Sequence, residues 1–359
     1  MIMKKIFLPL LSIALLTGCN KEDDNPDNSY TIPETYDFEN VSYSGQIQRL
    51  DMLAELTAYV KTSHTSTGAA LDAQKMKDMF AGENSPFSNA DLNSSTKNLK
   101  SKTYSSEVDV YLSMFDSIAA HSQITGAENG KAGIIETSNR IVLVDAKGQE
   151  YAQLIDKGLM GSCFYYQGTS KYLSDEKIGD AVDNVTVEEG KGTAKEHHFD
   201  EAFGYFGVPT DFPTNTDGIR FWGKYCNSRD NLVNTNDIMD EFIKGRAAIS
   251  NNDKDAQDKA VSNIKLQWEK SAAATGIHYL NDGIADFGDD ANRCHVLTEA
   301  IAFIDALRYN ADATITVADI DNVLATLGDN FWTVKKADIE AARDLLATAA
   351  GLESVKGDL

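Results

Sequence analysis

An all-α fold of two packed helical bundles, held on a lipid-anchored N-terminal tether, is what this sequence predicts. Three observations carry the expectation. After Ser44 the apolar residues recur at three- and four-residue intervals, strand-like alternation is confined to Arg140 to Asp145, and all six prolines fall before residue 214, leaving the last third free to form long helices.

Residues 1–18 read as a secretory signal. Lys4 and Lys5 form a basic start, Ile6 to Thr17 an apolar core, and Leu16-Thr17-Gly18-Cys19 a cleavage and lipidation site. The apolar run falls short of the ~20 residues that a lasting membrane span needs, so lipid on Cys19 is the expected anchor. Residues 19–43 follow as a polar, flexible tether with Pro26 and Pro33. Its Lys21-Glu22-Asp23-Asp24 start resembles the surface-export signal of Bacteroidota lipoproteins, which implies the outer membrane and a cell-surface orientation.

The first helix begins at Ser44, where Ile47, Leu50, Leu53, Leu56 and Val60 share a face. Further helices are expected at 71–81, 105–121, 148–172, 193–206, 236–250, 254–286, 291–309, 317–327 and 335–349, many bounded by Ser, Thr, Asp, Asn or Gly. Gly126 to Gly133 lacks the Gly-Lys-Ser/Thr ending of a phosphate-binding loop and reads as a turn. Gly207 to Tyr225, with Pro209, Pro213 and Gly218, is the longest break and divides the chain into bundles at 44–215 and 216–359.

A formal charge of −22, or −24 once Lys4 and Lys5 leave with the signal, sets nucleic acid aside as a partner. Cys163, Cys226 and Cys294 lie among apolar or aromatic neighbours without CxxC spacing and are expected to be buried thiols. Trp222, Trp268 and Trp332 are dispersed, a pattern of core residues more than of glycan capture.

Chemistry concentrates in His197-His198-Phe199-Asp200-Glu201. At 100° per residue His198 and Glu201 project about 60° apart, close enough to point at one ion. They flank the apolar stripe of Phe199, Ala202, Phe203 and Phe206 together with Tyr205, whereas His197 is expected to meet solvent. A second pair, His295 and Glu299, lies one turn apart on a helix that is apolar around most of its circumference. A carboxylate there must be paired, protonated or bound to a cation, because an isolated buried charge is costly. Each pair reads either as a hydrogen-bonded structural pair or as half of a metal site. If the two helices face each other, His198, Glu201, His295 and Glu299 supply four ligands, with Asp200 and Tyr205 as further candidates. Neither the ferritin-type Glu-x-x-His pattern nor HExxH occurs.

Several short stretches look like the markers of one family. They are Gly130-Lys131-Ala132-Gly133, Tyr151-Ala152-Gln153 with Lys157-Gly158-Leu159-Met160-Gly161, His197 through Tyr205, and Thr298-Glu299-Ala300 followed by Leu307-Arg308. The chain resembles, over nearly its whole mature length, a family of uncharacterised Bacteroidota lipoproteins similar to imelysin-like proteins. That resemblance implies an all-α, two-bundle envelope protein associated with iron uptake. His198-Phe199-Asp200-Glu201 matches the His-x-x-Glu part of the imelysin marker, with Glu196 in the place of its glycine.

The expected function is a lipoprotein that binds a cation, iron first and zinc or calcium next, or an iron-bearing ligand for uptake. Its expected partners are the membrane through the lipid, and an outer-membrane receptor or an imelysin-like protein. A metal-dependent hydrolase and a non-catalytic adaptor of a receptor are the alternatives.

Overall fold

Residues 30–359 are described by the computed structural model, so the signal segment, Cys19 and the start of the tether lie outside the described residues. The first helices are α1 (Ser44–Lys61) and α2 (Ala73–Ala81), as expected, a short unexpected α3 (Ala90–Asn93), and the expected α4 (Val108–His121). A two-stranded antiparallel hairpin follows, β1 (Gly133–Glu136) and β2 (Ile141–Val144), with Ile134 opposite Leu143. Then come α5 (Tyr151–Leu159), which runs directly into a π-helix (Met160–Tyr172), α6 (Asp175–Ile178) and α7 (Ala194–Phe206). The last part holds α8 (Phe221–Val233), α9 (Ile238–Ser250), α10 (Lys254–Ala285), α11 (Asp290–Ala306), α12 (Val317–Leu327) and α13 (Lys336–Ala350).

Two expectations change in detail. Arg140 to Asp145 does contain a strand, but its partner β1 starts directly at the end of the glycine-rich turn, where Gly130 and Gly133 have φ of 84° and 150°. The long break after α7 is interrupted by α8, whose buried residues Trp222, Cys226 and Val233 are diluted by Gly, Asn and Ser in the sequence. Gly223 has a steric purpose: a Cβ there would sit 2.3 Å from Val208 Cγ1.

The tether is also shorter than expected. Ile32–Leu359 is one compact unit, and within it residues 32–43 are packed rather than free. Tyr36 is fully buried, stacks on Phe203 at 3.9 Å between ring centroids, and donates to Asp200. Tyr43 crosses α7 so closely that a Cβ on Gly204 would lie 2.6 Å from its own. Tyr36, Phe38 and Tyr43 supply this anchoring without any helical repeat, so periodicity does not reveal it.

The position of α7 follows from its ends and its apolar face. Thr193 and Glu196 form a reciprocal capping box at the start, the Thr193 N–H donating to Glu196 Oε2 at 2.8 Å, and Gly207 in the left-handed region stops the helix. Phe199, Ala202, Phe203 and Phe206 are buried, as their spacing predicts. Phe206 and Phe242 of α9 meet Trp268 of α10, which also packs against Tyr165 of the π-helix and Trp222 of α8. The expected boundary at 215/216 runs through this shared aromatic core.

Gly223→Ala should destabilise the fold by about 1–3 kcal/mol through overpacking against Val208. Gly288→Ala, where an added Cβ meets nothing within 4 Å, should be close to neutral. Denaturant unfolding of both variants checks this; equal stability would mean that α8 and the Gly207–Val208 turn do not pack as described.

Candidate functional site

Three polar networks lie among the buried helices. The sequence-predicted residues are divided among them.

The first is built on α11 and α5. His295 Nδ1 donates to Glu150 Oε2 at 2.6 Å and its Nε2 faces Glu299 Oε2 at 3.2 Å, so both ring nitrogens are engaged by carboxylates. Glu299 in turn lies 3.6 Å from Lys157 Nζ, which also binds Asp156 at 2.5 Å. Tyr279 of α10 lies near Glu299, Tyr225 of α8 lies under the Lys157 ammonium, and Thr57 of α1 donates to Asp156. Burial opposes charge on His295, but the hydrogen bonds to Glu150 and Glu299 outweigh it and hold the imidazolium at about 9. The same bracket, together with Lys157, keeps Glu299 below the usual carboxylate range against the effect of burial. An imidazolium with both N–H groups committed has no lone pair for a metal. Gln153, 3.4 Å from His295 Nδ1, is left with its buried Oε1 unpaired.

The second network fixes Asp200. Arg246 of α9 donates through Nε to Asp200 at 2.9 Å and through Nη1 to Glu196 at 2.7 Å, while Tyr36 donates to the same Asp200 oxygen at 2.7 Å. Asp200 is fully buried, and desolvation pushes its carboxyl up to about 6 in spite of Arg246. Here the carboxylate expected as a weaker ligand clamps the 32–43 segment and α9 onto α7.

The third lies at the half-exposed edge of α7. Glu201 accepts from Gln46 Nε2 of α1 at 2.8 Å and stands 3.3 Å from His198 Nδ1, with Tyr172 at the end of the π-helix nearby. These donors hold Glu201 below its ordinary range although burial acts the other way. The side chain of His198 is 25% exposed, and its Nε2 has no hydrogen-bond partner among the described residues. Tyr205, in contrast, is fully buried with an unpaired hydroxyl, and burial raises its phenol far above the ordinary value. His197 does not simply meet solvent: it is half-buried near the backbone of Ser42, and its buried Nδ1 has no partner among the described residues. The packed 32–43 segment, which a tether would have left open, is the cause.

The structure therefore brings His198 to Glu201 and His295 to Glu299, but the two pairs share no partner among the described residues. Nor does any group of three His, Cys, Asp or Glu side chains there form a cluster able to hold a metal ion. Sequence reasoning missed Gln46, Glu150, Lys157, Tyr172 and Arg246. Only Lys157 left a visible trace, as a charge within the apolar run of α5. The three cysteines are buried free thiols, as expected.

Together the fold and the N-terminal processing pattern define an all-α protein anchored to a membrane by lipid, and residues 3–20 match the prokaryotic membrane lipoprotein lipid attachment site. The chain belongs to the family described as Domain of unknown function (DUF4856), which spans residues 33–353. No curated protein and no solved structure matches it. No helix among the described residues is long and apolar enough to cross a membrane.

Cys19→Ser should leave the protein unlipidated and move it from the membrane to the soluble fraction; continued membrane association on fractionation would contradict lipid anchoring. A second expectation concerns His295. Its folded value of about 9 lies above the unfolded ~6.5, so its contribution to stability is complete below about pH 6.5 and is lost as pH rises through about 9. His295→Gln should cost about 3 kcal/mol at pH 6, the order expected for breaking a buried ion pair. Unfolding at pH 6 and pH 10 should show that deficit narrowing; an equal deficit at both would mean that the ring is uncharged in the fold.

Proposed function

We propose that this lipoprotein is a ligand-binding protein of the cell envelope and that the α7 edge, centred on His198 and Glu201, is its contact site. One observation carries the reading: the partly exposed His198 is oriented through Nδ1 by a carboxylate that Gln46 holds in place, leaving Nε2 without a partner among the described residues. A carboxylate that orients an imidazole in this way makes the other nitrogen a better donor to a cation. His295, with both nitrogens committed, is a structural cation instead.

A bare metal ion usually takes three or four protein ligands, more than this edge supplies, so an iron-bearing ligand that brings part of its own coordination fits better than a free ion. The likeness of His198-Phe199-Asp200-Glu201 to the imelysin marker supports an iron-uptake role. The acidic start of the tether supports an outer-membrane, surface-facing position with a receptor as partner.

The test is calorimetric titration and metal analysis of the mature chain with iron, zinc and calcium. His198→Ala should abolish binding without loss of helicity, and His295→Gln should retain binding while losing stability. Unchanged binding by His198→Ala would overturn the assignment.

A further inference from the structure

The wall beside Glu201 is cationic in a chain whose net charge is −22. Arg49 of α1 is only 5% exposed, yet its guanidinium bonds neutral carbonyls alone, Asn98 at 2.9 Å and Gly45 at 3.1 Å, and its Nη2 makes no hydrogen bond among the described residues. A buried positive charge without a counter-charge is costly to keep. Lys102 Nζ donates to the Tyr172 hydroxyl at 3.0 Å. Burial and, after it, the charge of Arg49 lower the Lys102 ammonium below its usual value, while Glu201 acts the other way. Lys97 completes the group: a Cβ on Gly45 would lie 3.0 Å from its Cε and 3.6 Å from Arg49 Nη1, which places both over the first turn of α1. That turn has no side-chain cap and no acidic residue, so its N-terminal dipole adds to the field. None of Arg49, Lys97 and Lys102 has a carboxylate ion-pair partner among the described residues. The fully buried hydroxyl of Tyr205, on the same face of the fold within the field of Arg49 and Glu201, has no hydrogen-bond partner among the described residues.

We propose that Arg49, Lys97 and Lys102 form an oxyanion site that takes a carboxylate or phosphate group, either of a soluble ligand or of a lipid headgroup. The guanidinium offers directional N–H donors, the two ammonium groups supply charge, and a bound anion neutralises a cluster that Glu201 alone does not balance. The proposal rests on the reading of this face as the binding face. It adds that the ligand approaches with negative charge, which for an iron-bearing ligand means an anionic chelate.

The mature full chain would be titrated with inorganic phosphate and with tricarballylate, and separately mixed with vesicles of phosphatidylglycerol against neutral phosphatidylcholine vesicles. Binding in either arm is expected, weakening as salt rises and falling roughly tenfold in Lys102→Gln and in Lys97→Gln; the arm that binds identifies the source of the oxyanion. Arg49→Gln should abolish it, and the two lysine variants, lying nearer the surface, keep the test valid if that variant fails to fold. Absence of binding in both arms, or binding undiminished by both lysine substitutions, overturns the proposal. Metal binding that depends on His198, with no lysine-dependent binding of phosphate, tricarballylate or anionic vesicles, would overturn the oxyanion site while leaving the α7 reading in place, and phosphate binding that depends on the lysines with no metal binding that depends on His198 would do the reverse.

Discussion

The packing of Trp268 is the constraint on which the rest of the structure depends. One indole from the 32-residue α10 meets the π-helix, α7, α8 and α9 through Tyr165, Phe206, Trp222 and Phe242, each within 6.3 Å between ring centroids. Gly168 of the π-helix makes this approach possible, since a Cβ there would lie 2.7 Å from Trp268 Cη2. Aromatic edges and faces at such distances combine apolar burial with orientation, so the rings fix how helices from both halves of the sequence sit. Once α7 is set by Phe206, its other side must carry His198, Glu201 and Asp200 against α1, α9 and the 32–43 segment.

Burying that many charges would be prohibitive if they were left alone, and the chain solves this by pairing across elements as well as along single helices. Glu299 is neutralised from α5 by Lys157, Glu150 by His295 of α11, and Asp200 by Arg246 of α9. Removing either partner of such a pair leaves a buried charge, so the pairs specify which helices lie side by side as well as contributing to stability. The pH dependence of the His295 bracket follows from the same geometry, because the imidazole is useful to the fold only while it carries its proton.

Much of the fold was legible because α1, α7, α10, α11, α12 and α13 each carry apolar residues at helical spacing along their buried faces, and their ends carry ordinary signals such as Thr193 with Glu196 or Gly351. What stayed hidden lacks a local signature. The packed arm around Tyr36 depends on a long-range stack with Phe203, α8 carries polar residues at most of its exposed positions, and nothing in Met160–Tyr172 distinguishes π from α winding. The candidate site was half legible for the same reason. Spacing placed His198 beside Glu201 and His295 beside Glu299, but whether a pair is closed or open is decided by residues far away in the chain. Glu150 is 145 positions from His295, and Gln46 is 155 from Glu201.

That distinction between closed and open networks gives the α7 edge its meaning. At His295 both ring nitrogens are engaged by carboxylates, and at Asp200 an arginine and a tyrosine converge on a fully buried carboxylate, so the charges of both centres are paired, although Gln153 Oε1 and Arg246 Nη2 beside them have no partner among the described residues. Around Glu201 the charges are not paired in this way: among the described residues His198 Nε2 has no hydrogen-bond partner, and Arg49 with Lys102 carries a positive charge that one carboxylate does not balance. A protein with 55 acidic side chains has no shortage of carboxylates to place there. Leaving the corner cationic beside an oriented imidazole costs stability, and such a cost persists in a folded protein when something outside the chain offsets it.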